Sequence, residues 1–180
     1  MTYFGLHVIF SNKKYFVFLH DKVCIYEAAD LHGYFYMGGI FDKKFEQKTA
    51  LLFDMVKVGQ FVCLYSDITE NELMNAPKKV LSFFESFPDE QKEKLVITPE
   101  ILKLAKMYVN ENVVGKTSFD DCVHIATATV YRADLLISWN FKHIVNIYRA
   151  RGYNAINLKL GYPILNIHSP KEIVSYGNEN

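Results

Sequence analysis

The sequence predicts an α/β fold built on a mainly parallel sheet, and three observations carry that expectation. Short runs of β-branched and aromatic residues recur along the chain, apolar on both faces, as strands covered from both sides are. Between them lie stretches with apolar residues at helical spacing. Several of those stretches open on capping sequences. Strands that alternate with helices belong to a sheet whose crossovers are helical.

Residues 1 to 21 fit the alternation least and are expected to be an N-terminal extension. Val8 to Phe10 and Tyr15 to Leu19 are strand-like, with Ser11-Asn12-Lys13-Lys14 between them, which suits a β-hairpin. A partner-binding arm is the alternative. The main domain is expected over residues 22 to 180, opening with a strand at Val23 to Tyr26. Gly38-Gly39 marks a loop. Phe45, Leu51, Leu52, Met55 and Val56 then form one helical stripe, and Phe61 to Tyr65 the next strand. Thr69-Glu70-Asn71-Glu72 has the spacing of a capping box, which predicts a helix starting there. Val80, Leu81, Phe84 and Phe87 give a second stripe, closed by a Pro88-Asp89-Glu90 loop.

Thr98-Pro99-Glu100 is an N-cap followed by proline at the first helical position, and Ile101, Leu102, Ala105 and Val109 continue that helix. Ser118-Phe119-Asp120-Asp121 is a relative of the capping box. From there "TSFDDCVHIATATVYRADLLISWNFKHIV", residues 117 to 145, reads as a helix, a short strand at Leu135 to Ser138 and the start of another helix. Ser169-Pro170-Lys171-Glu172 is a further capping box.

Composition narrows the function classes. A chain of 180 residues suits one domain with a small appendage, and 50% hydrophobic residues argue against disorder. Lys and Arg total 20, as do Asp and Glu, so charge alone forces no nucleic-acid reading, although a local basic patch remains compatible. Cys24, Cys63 and Cys122 show no metal-ligand spacing and are expected to be buried free thiols in a reducing compartment. The run from Tyr15 to Leu19 is too short to span a bilayer, and the N-terminus lacks signal-peptide order. A cytoplasmic protein with no membrane association is therefore expected.

In an open parallel sheet, functional groups collect at the carboxyl ends of the strands. Glu27 follows one predicted strand, Glu72 lies shortly after the next, and Asn140 follows a third. Asp121 opens the helix that leads into that third strand. Carboxylates brought together repel unless a cation lies between them, and hard oxygen ligands suit Mg²⁺ or Mn²⁺. Such an ion can activate water and stabilise a pentavalent phosphate, so the matching reaction is phosphodiester hydrolysis. Each residue also has a plainer role open to it. Capping would account for Glu72, the helix dipole for Asp121, a turn or N-cap for Asn140, and a solvated strand end for Glu27. His124 and Thr127 share the face of Asp121, His124 as a hydrogen-bonded packing residue rather than a ligand. Trp139 reads as packing, and Lys142 and His143 as exposed.

At these residues the chain resembles a known family. "FDDCVHIATATVYRADLLISWNFKHIV" is similar to the C-terminal half of PIN-domain proteins of the VapC-like toxin type. "SDITENEL" at 66 to 73 resembles their second motif, and "GYPILNIHSPKEIV" at 161 to 174 the tail of one subgroup. The resemblance covers roughly residues 22 to 176. It implies a three-layer α/β/α sandwich around the sheet. It also implies Mg²⁺- or Mn²⁺-dependent cleavage of RNA by an acidic cluster, with water as nucleophile. A homodimeric toxin paired with an antitoxin protein is the implied setting. Glu72 and Asp121 match two metal-binding acids, and Asn140 stands where the last Asp usually does. Glu27-Ala28-Ala29 stands where the family usually has Asp-Thr-Ser, so Glu27 would be the first metal ligand, without its supporting hydroxyls. That departure leaves a second reading, a catalytically degenerate PIN module that binds RNA or a protein partner.

Overall fold

A computed structural model of the chain describes residues 21–25, 46–76 and 78–176. The hairpin expected between Val8 and Leu19, and Glu27, lie outside the described residues. Among the described residues five short strands form one sheet: β1 (Asp21–Ile25), β2 (Phe61–Ser66), β3 (Lys92–Leu95), β4 (Leu135–Ile137) and β5 (Asn166–His168). They are hydrogen-bonded in the order β3-β2-β1-β4-β5, and every described pairing is parallel. The described helices are α1 (Glu46–Lys57), α2 (Asp67–Asn75), α3 (Lys78–Glu85), α4 (Pro99–Asn110), α5 (Phe119–Val130), α6 (Ile147–Lys159) and α7 (Pro170–Tyr176). A mixed α/β fold with short parallel strands is thus what the chain adopts.

Side chains alternate across a strand, and β2 shows what that does to the core. Phe61 and Cys63 join one apolar cluster with Leu52, Phe53 and Val56 of α1, Val80 and Phe84 of α3, and Ile173 of α7. Val62 and Leu64 join the other, with Ile101, Leu104 and Tyr108 of α4, Val123 and Ile125 of α5, and Tyr153 of α6. Both faces of β2 are therefore dry, which is why Phe61 to Leu64 are all apolar. In the first cluster Phe53, Phe83 and Phe87 pack with ring centroids 5.2 Å apart. In the second, the hydroxyl of buried Tyr108 donates to Asn157 Oδ1 and the Asn157 amide donates to Thr129 Oγ1 at 3.2 Å. Burial of those polar groups costs little only because they satisfy one another.

Four elements differ from expectation. The capping box at Thr69 to Glu72 is not where its helix starts. Helix α2 begins at Asp67 with Ser66 as N-cap, and Thr69 sits at the third helical position, its Oγ1 accepting from the Ser66 N–H at 3.3 Å. Strand β2 passes into α2 with no loop between, so the cap comes one turn earlier than the sequence spacing suggested. Strands β3 and β5 were not anticipated, being short and polar. The helix expected from Asn140 is instead a turn, and α6 starts only at Ile147, where Asn146 Oδ1 accepts from the N–H groups of Tyr148 and Arg149.

Two other caps are where the sequence placed them. Thr98 Oγ1 accepts from Ile101 N at 3.3 Å, with Pro99 opening α4. At α7, Glu172 Oε2 accepts from the Ser169 N–H at 2.7 Å and from its hydroxyl at 2.6 Å. Partial burial would raise the Glu172 carboxyl, but the bonds from Ser169 outweigh it and hold the group below the usual range. Ser169→Ala removes the hydroxyl partner and should cost about 0.5–2 kcal/mol at pH 7. A carboxyl with a depressed folded-state pKa stabilises above its unfolded value and loses that contribution as the pH falls through the folded value. Urea unfolding should therefore show the gap between the two proteins narrowing towards pH 3. A gap independent of pH would assign the loss to something other than Glu172.

Candidate metal centre

The order of the strands places the site. The chain runs outward from β1 to β2 and β3, then returns to the other side of β1 for β4 and β5. Ligands of open parallel sheets bind outside the carboxyl ends of the strands at such a reversal. Ile25 ends β1 opposite Ile137, the end of β4, and Cys24 pairs with Leu64 of β2. The carboxyl ends of β2, β1 and β4 are thus neighbours. Helix α2 leaves the first of them, and the turn carrying Asn140 leaves the last. The sequence places Glu27 two residues beyond β1.

Two polar contacts form along this edge. Asp121, at the third position of α5 and only 5% exposed, accepts through Oδ1 from Asn140 Nδ2 at 3.2 Å. Glu72, in the middle of α2, brings Oε1 to 3.8 Å from Nε2 of His124. His124 lies one helical turn after Asp121 on α5, which puts both contacts on the same face of that helix. Burial holds the His124 imidazole well below its usual pKa. A facing carboxylate alone would favour the cation, but the imidazole is 6% exposed while Glu72 keeps 20% of its side chain in solvent, so desolvation wins. The Glu72 carboxylate therefore meets a neutral ring.

Asn140 is held from several directions. Its Oδ1 accepts from the His143 N–H at 2.9 Å, its N–H donates to Ser138 Oγ at 3.0 Å, and its carbonyl accepts from Ile144 and Val145. The turn expected of an Asn after a strand is present, and the same side chain also grips Asp121. With its oxygen accepting from His143 and its nitrogen donating to Asp121, Asn140 holds the Asp121 carboxylate in place. Trp139 packs, as anticipated, and its Nε1–H donates to Thr49 Oγ1 of α1 at 3.2 Å. Lys142 is exposed and His143 half-buried. Thr127 turns its hydroxyl back to the Val123 carbonyl at 2.7 Å and takes no part in the site.

Sequence reading missed Tyr153 and Arg149. The Tyr153 hydroxyl donates to the His143 carbonyl at 2.9 Å, fixing the turn that presents Asn140. Arg149 Nη1 donates to the Val113 carbonyl at 2.7 Å, tying α6 to the loop before α5. Neither contact leaves a local pattern in the chain. Cys63 and Cys122 are free thiols, as expected, each pushed up to about 12 chiefly by burial. The negative charge of Asp121 adds to the shift at Cys122.

The donors suit a hard divalent cation in kind: two carboxylates, no thiolate, and an amide that steadies one of the acids. Among the described residues no group of three or more His, Cys, Asp or Glu side chains is arranged to hold a metal ion. Glu72 meets α5 at His124, one helical turn from Asp121, whereas Glu27 lies outside the described residues. No described helix is long and apolar enough to cross a membrane. In comparisons with protein-family models, curated proteins and solved structures, nothing matches this chain.

Proposed function

We propose that the chain is a PIN-type endoribonuclease dependent on Mg²⁺ or Mn²⁺, with the three-layer α/β/α arrangement of that family. The observation that carries the reading is the Asp121–Asn140 contact one helical turn from the Glu72–His124 contact, beside the sheet's topological reversal. Glu27, Glu72 and Asp121 would hold the ion directly or through water. When bound, the cation would supply Lewis acidity and a lowered pKa for water. Asn140 aims the Asp121 carboxylate, and neutral His124 packs beside Glu72. Water is the nucleophile, and the products are RNA fragments. The motif resemblance adds a cytoplasmic toxin, a homodimer and an antitoxin partner to the proposal. The second reading, a degenerate module that binds RNA or a protein, is favoured by Ala28 and Ala29 standing where hydroxyls would support the first acid.

Substitution at Glu27 separates the two. Mg²⁺ demands stricter octahedral geometry than Mn²⁺, so a carboxylate one methylene too long should hurt Mg²⁺ more. Cleavage of single-stranded RNA is thus expected in Mn²⁺ and more weakly in Mg²⁺. Glu27→Asp should raise the Mg²⁺ rate several-fold. Glu27→Gln should lower both rates by at least the roughly 10- to 100-fold typical of losing an outer-sphere partner. The assay compares these proteins with Glu72→Gln on a mixed RNA, with EDTA controls. Cleavage surviving EDTA or Glu72→Gln would overturn the metal mechanism, and no cleavage by any of them would leave the binding module.

A further inference from the structure

We infer that Phe141 is a stacking platform for an unpaired RNA base beside the candidate centre, a step that rests on the ribonuclease reading. Phe141 directly follows Asn140, whose amide lies 3.2 Å from Asp121 Oδ1. Its ring is 52% exposed and belongs to neither apolar cluster, so packing does not explain it. Yet the ring is positioned. Its N–H donates to the Trp139 carbonyl at 2.8 Å, and it leans on the Trp139 indole at 6.0 Å between centroids and 48° between planes. Trp139 is itself fixed to Thr49 of α1. The result is an aromatic surface braced from behind and open in front, with the exposed Lys142 next along the chain.

A braced, solvent-facing ring beside a phosphate-cleaving site fits a nucleobase. Single-stranded RNA is commonly recognised by stacking its unpaired bases on aromatic side chains, with cations tracking the phosphates. Net charge sharpens the point. Non-specific RNA affinity comes mainly from neutralising phosphates, and a chain with formal net charge zero has no broad positive field to supply it. Short-range contacts such as stacking must then carry more of the binding. A protein partner is the competing occupant, because Ile147 and Tyr148 are also exposed, at the start of α6.

The test uses the full chain in EDTA, where metal-dependent cleavage is off, at low salt. The probes are a fluorescein-labelled mixed-sequence RNA and an abasic ribose-phosphate oligomer of equal length. Trp139 is the chain's only tryptophan, so its emission reports on this surface. Wild type should bind RNA with a change in Trp139 emission. Phe141→Ala should weaken RNA binding by about 5- to 150-fold, the range for losing one stacked base. Phe141→Tyr should retain binding, and the abasic oligomer should bind wild type and Phe141→Ala equally. Unchanged RNA affinity in Phe141→Ala, or an equal loss on the abasic oligomer, would overturn the platform. So would a change in oligomeric state with RNA affinity unchanged, which would assign the surface to a protein contact. RNA cleavage that persists while Phe141→Ala binds normally removes only this inference. A wild type that neither binds nor cleaves RNA removes the ribonuclease reading with it.

Discussion

Asp121→Asn is expected to reduce Mn²⁺-dependent RNA cleavage to background while leaving the metal-free protein at least as stable as wild type. The substitution keeps the side chain's size, and an Asn oxygen can still accept from Asn140 Nδ2, now 3.2 Å from Asp121 Oδ1. What disappears is a negative charge held at 5% exposure, one helical turn from the Glu72–His124 contact. Loss of its interaction with the start of α5 costs about 0.3–1 kcal/mol. Release of a charge from so buried a position opposes that cost. Metal binding to wild type has a larger readout. At a hundredfold excess over Kd, a ligand that binds only the folded state stabilises by about 2.7 kcal/mol. For a chain of this size that is a Tm rise of roughly 5–11 °C. Thermal melts with and without Mn²⁺ should show the rise in wild type and not in Asp121→Asn. A large loss of metal-free stability with the Mn²⁺ response intact would mean that Asp121 serves the fold and not an ion.

How much of this was legible in the sequence depended on burial. Strands β1, β2 and β4 lie in the middle of the sheet, and their apolar runs were readable as strands. Strands β3 and β5 are the edges, and Lys92-Glu93-Lys94-Leu95 and Asn166-Ile167-His168 carry the polar residues that edges tolerate. No alternation survives in three or four such residues. Helix α6 was hidden for a different reason. Its buried face includes Asn157, and half-buried Asn154 bonds both the N–H and the carbonyl of Leu165, while Ile147, Tyr148 and Leu158 point outward. Satisfied amides stand where a stripe of aliphatic residues was sought.

The site was legible as a set of junction residues but not as a set of contacts. Asp121 and Asn140 were singled out because they stand where a helix starts and a strand ends. Their bond spans nineteen positions and depends on the turn that Tyr153 holds from α6. Glu72 was ambiguous because Thr69-Glu70-Asn71-Glu72 has capping-box spacing. With the helix starting a turn earlier, at Asp67 behind the Ser66 N-cap, Glu72 does not stand at the cap position that its spacing suggested. The plainer explanation of that acid is thereby removed.

Asn140→Asp should destabilise the metal-free protein by about 2–4 kcal/mol at pH 7 and enlarge its response to Mn²⁺. The substitution places a second carboxylate where Asn140 Nδ2 now meets Asp121 Oδ1 at 3.2 Å. Two unit charges at that distance repel by about 5 kcal/mol at an effective dielectric near 20. Protonation limits the cost, because keeping a carboxyl neutral at pH 7 takes only about 4 kcal/mol from its ordinary value. The backbone role is kept, since Asp caps the His143 N–H as well as Asn does. The loss can therefore be assigned to charge. Asn140→Ala, which removes the cap and adds no charge, is the control. The paired carboxyl would have a raised folded-state pKa, so the penalty grows with pH up to that raised value and fades as the pH falls towards the unfolded value near 4. Thermal melts should show Tm lower by roughly 4–16 °C at pH 7, with the gap closing in acid. A divalent cation between the two acids turns the repulsion into binding, so saturating Mn²⁺ should raise the Tm of Asn140→Asp by more than that of wild type, and that of Asn140→Ala by less. Equal metal-free stability of wild type and Asn140→Asp at pH 7 would show that the two side chains do not face each other, and the candidate centre would fall with that result.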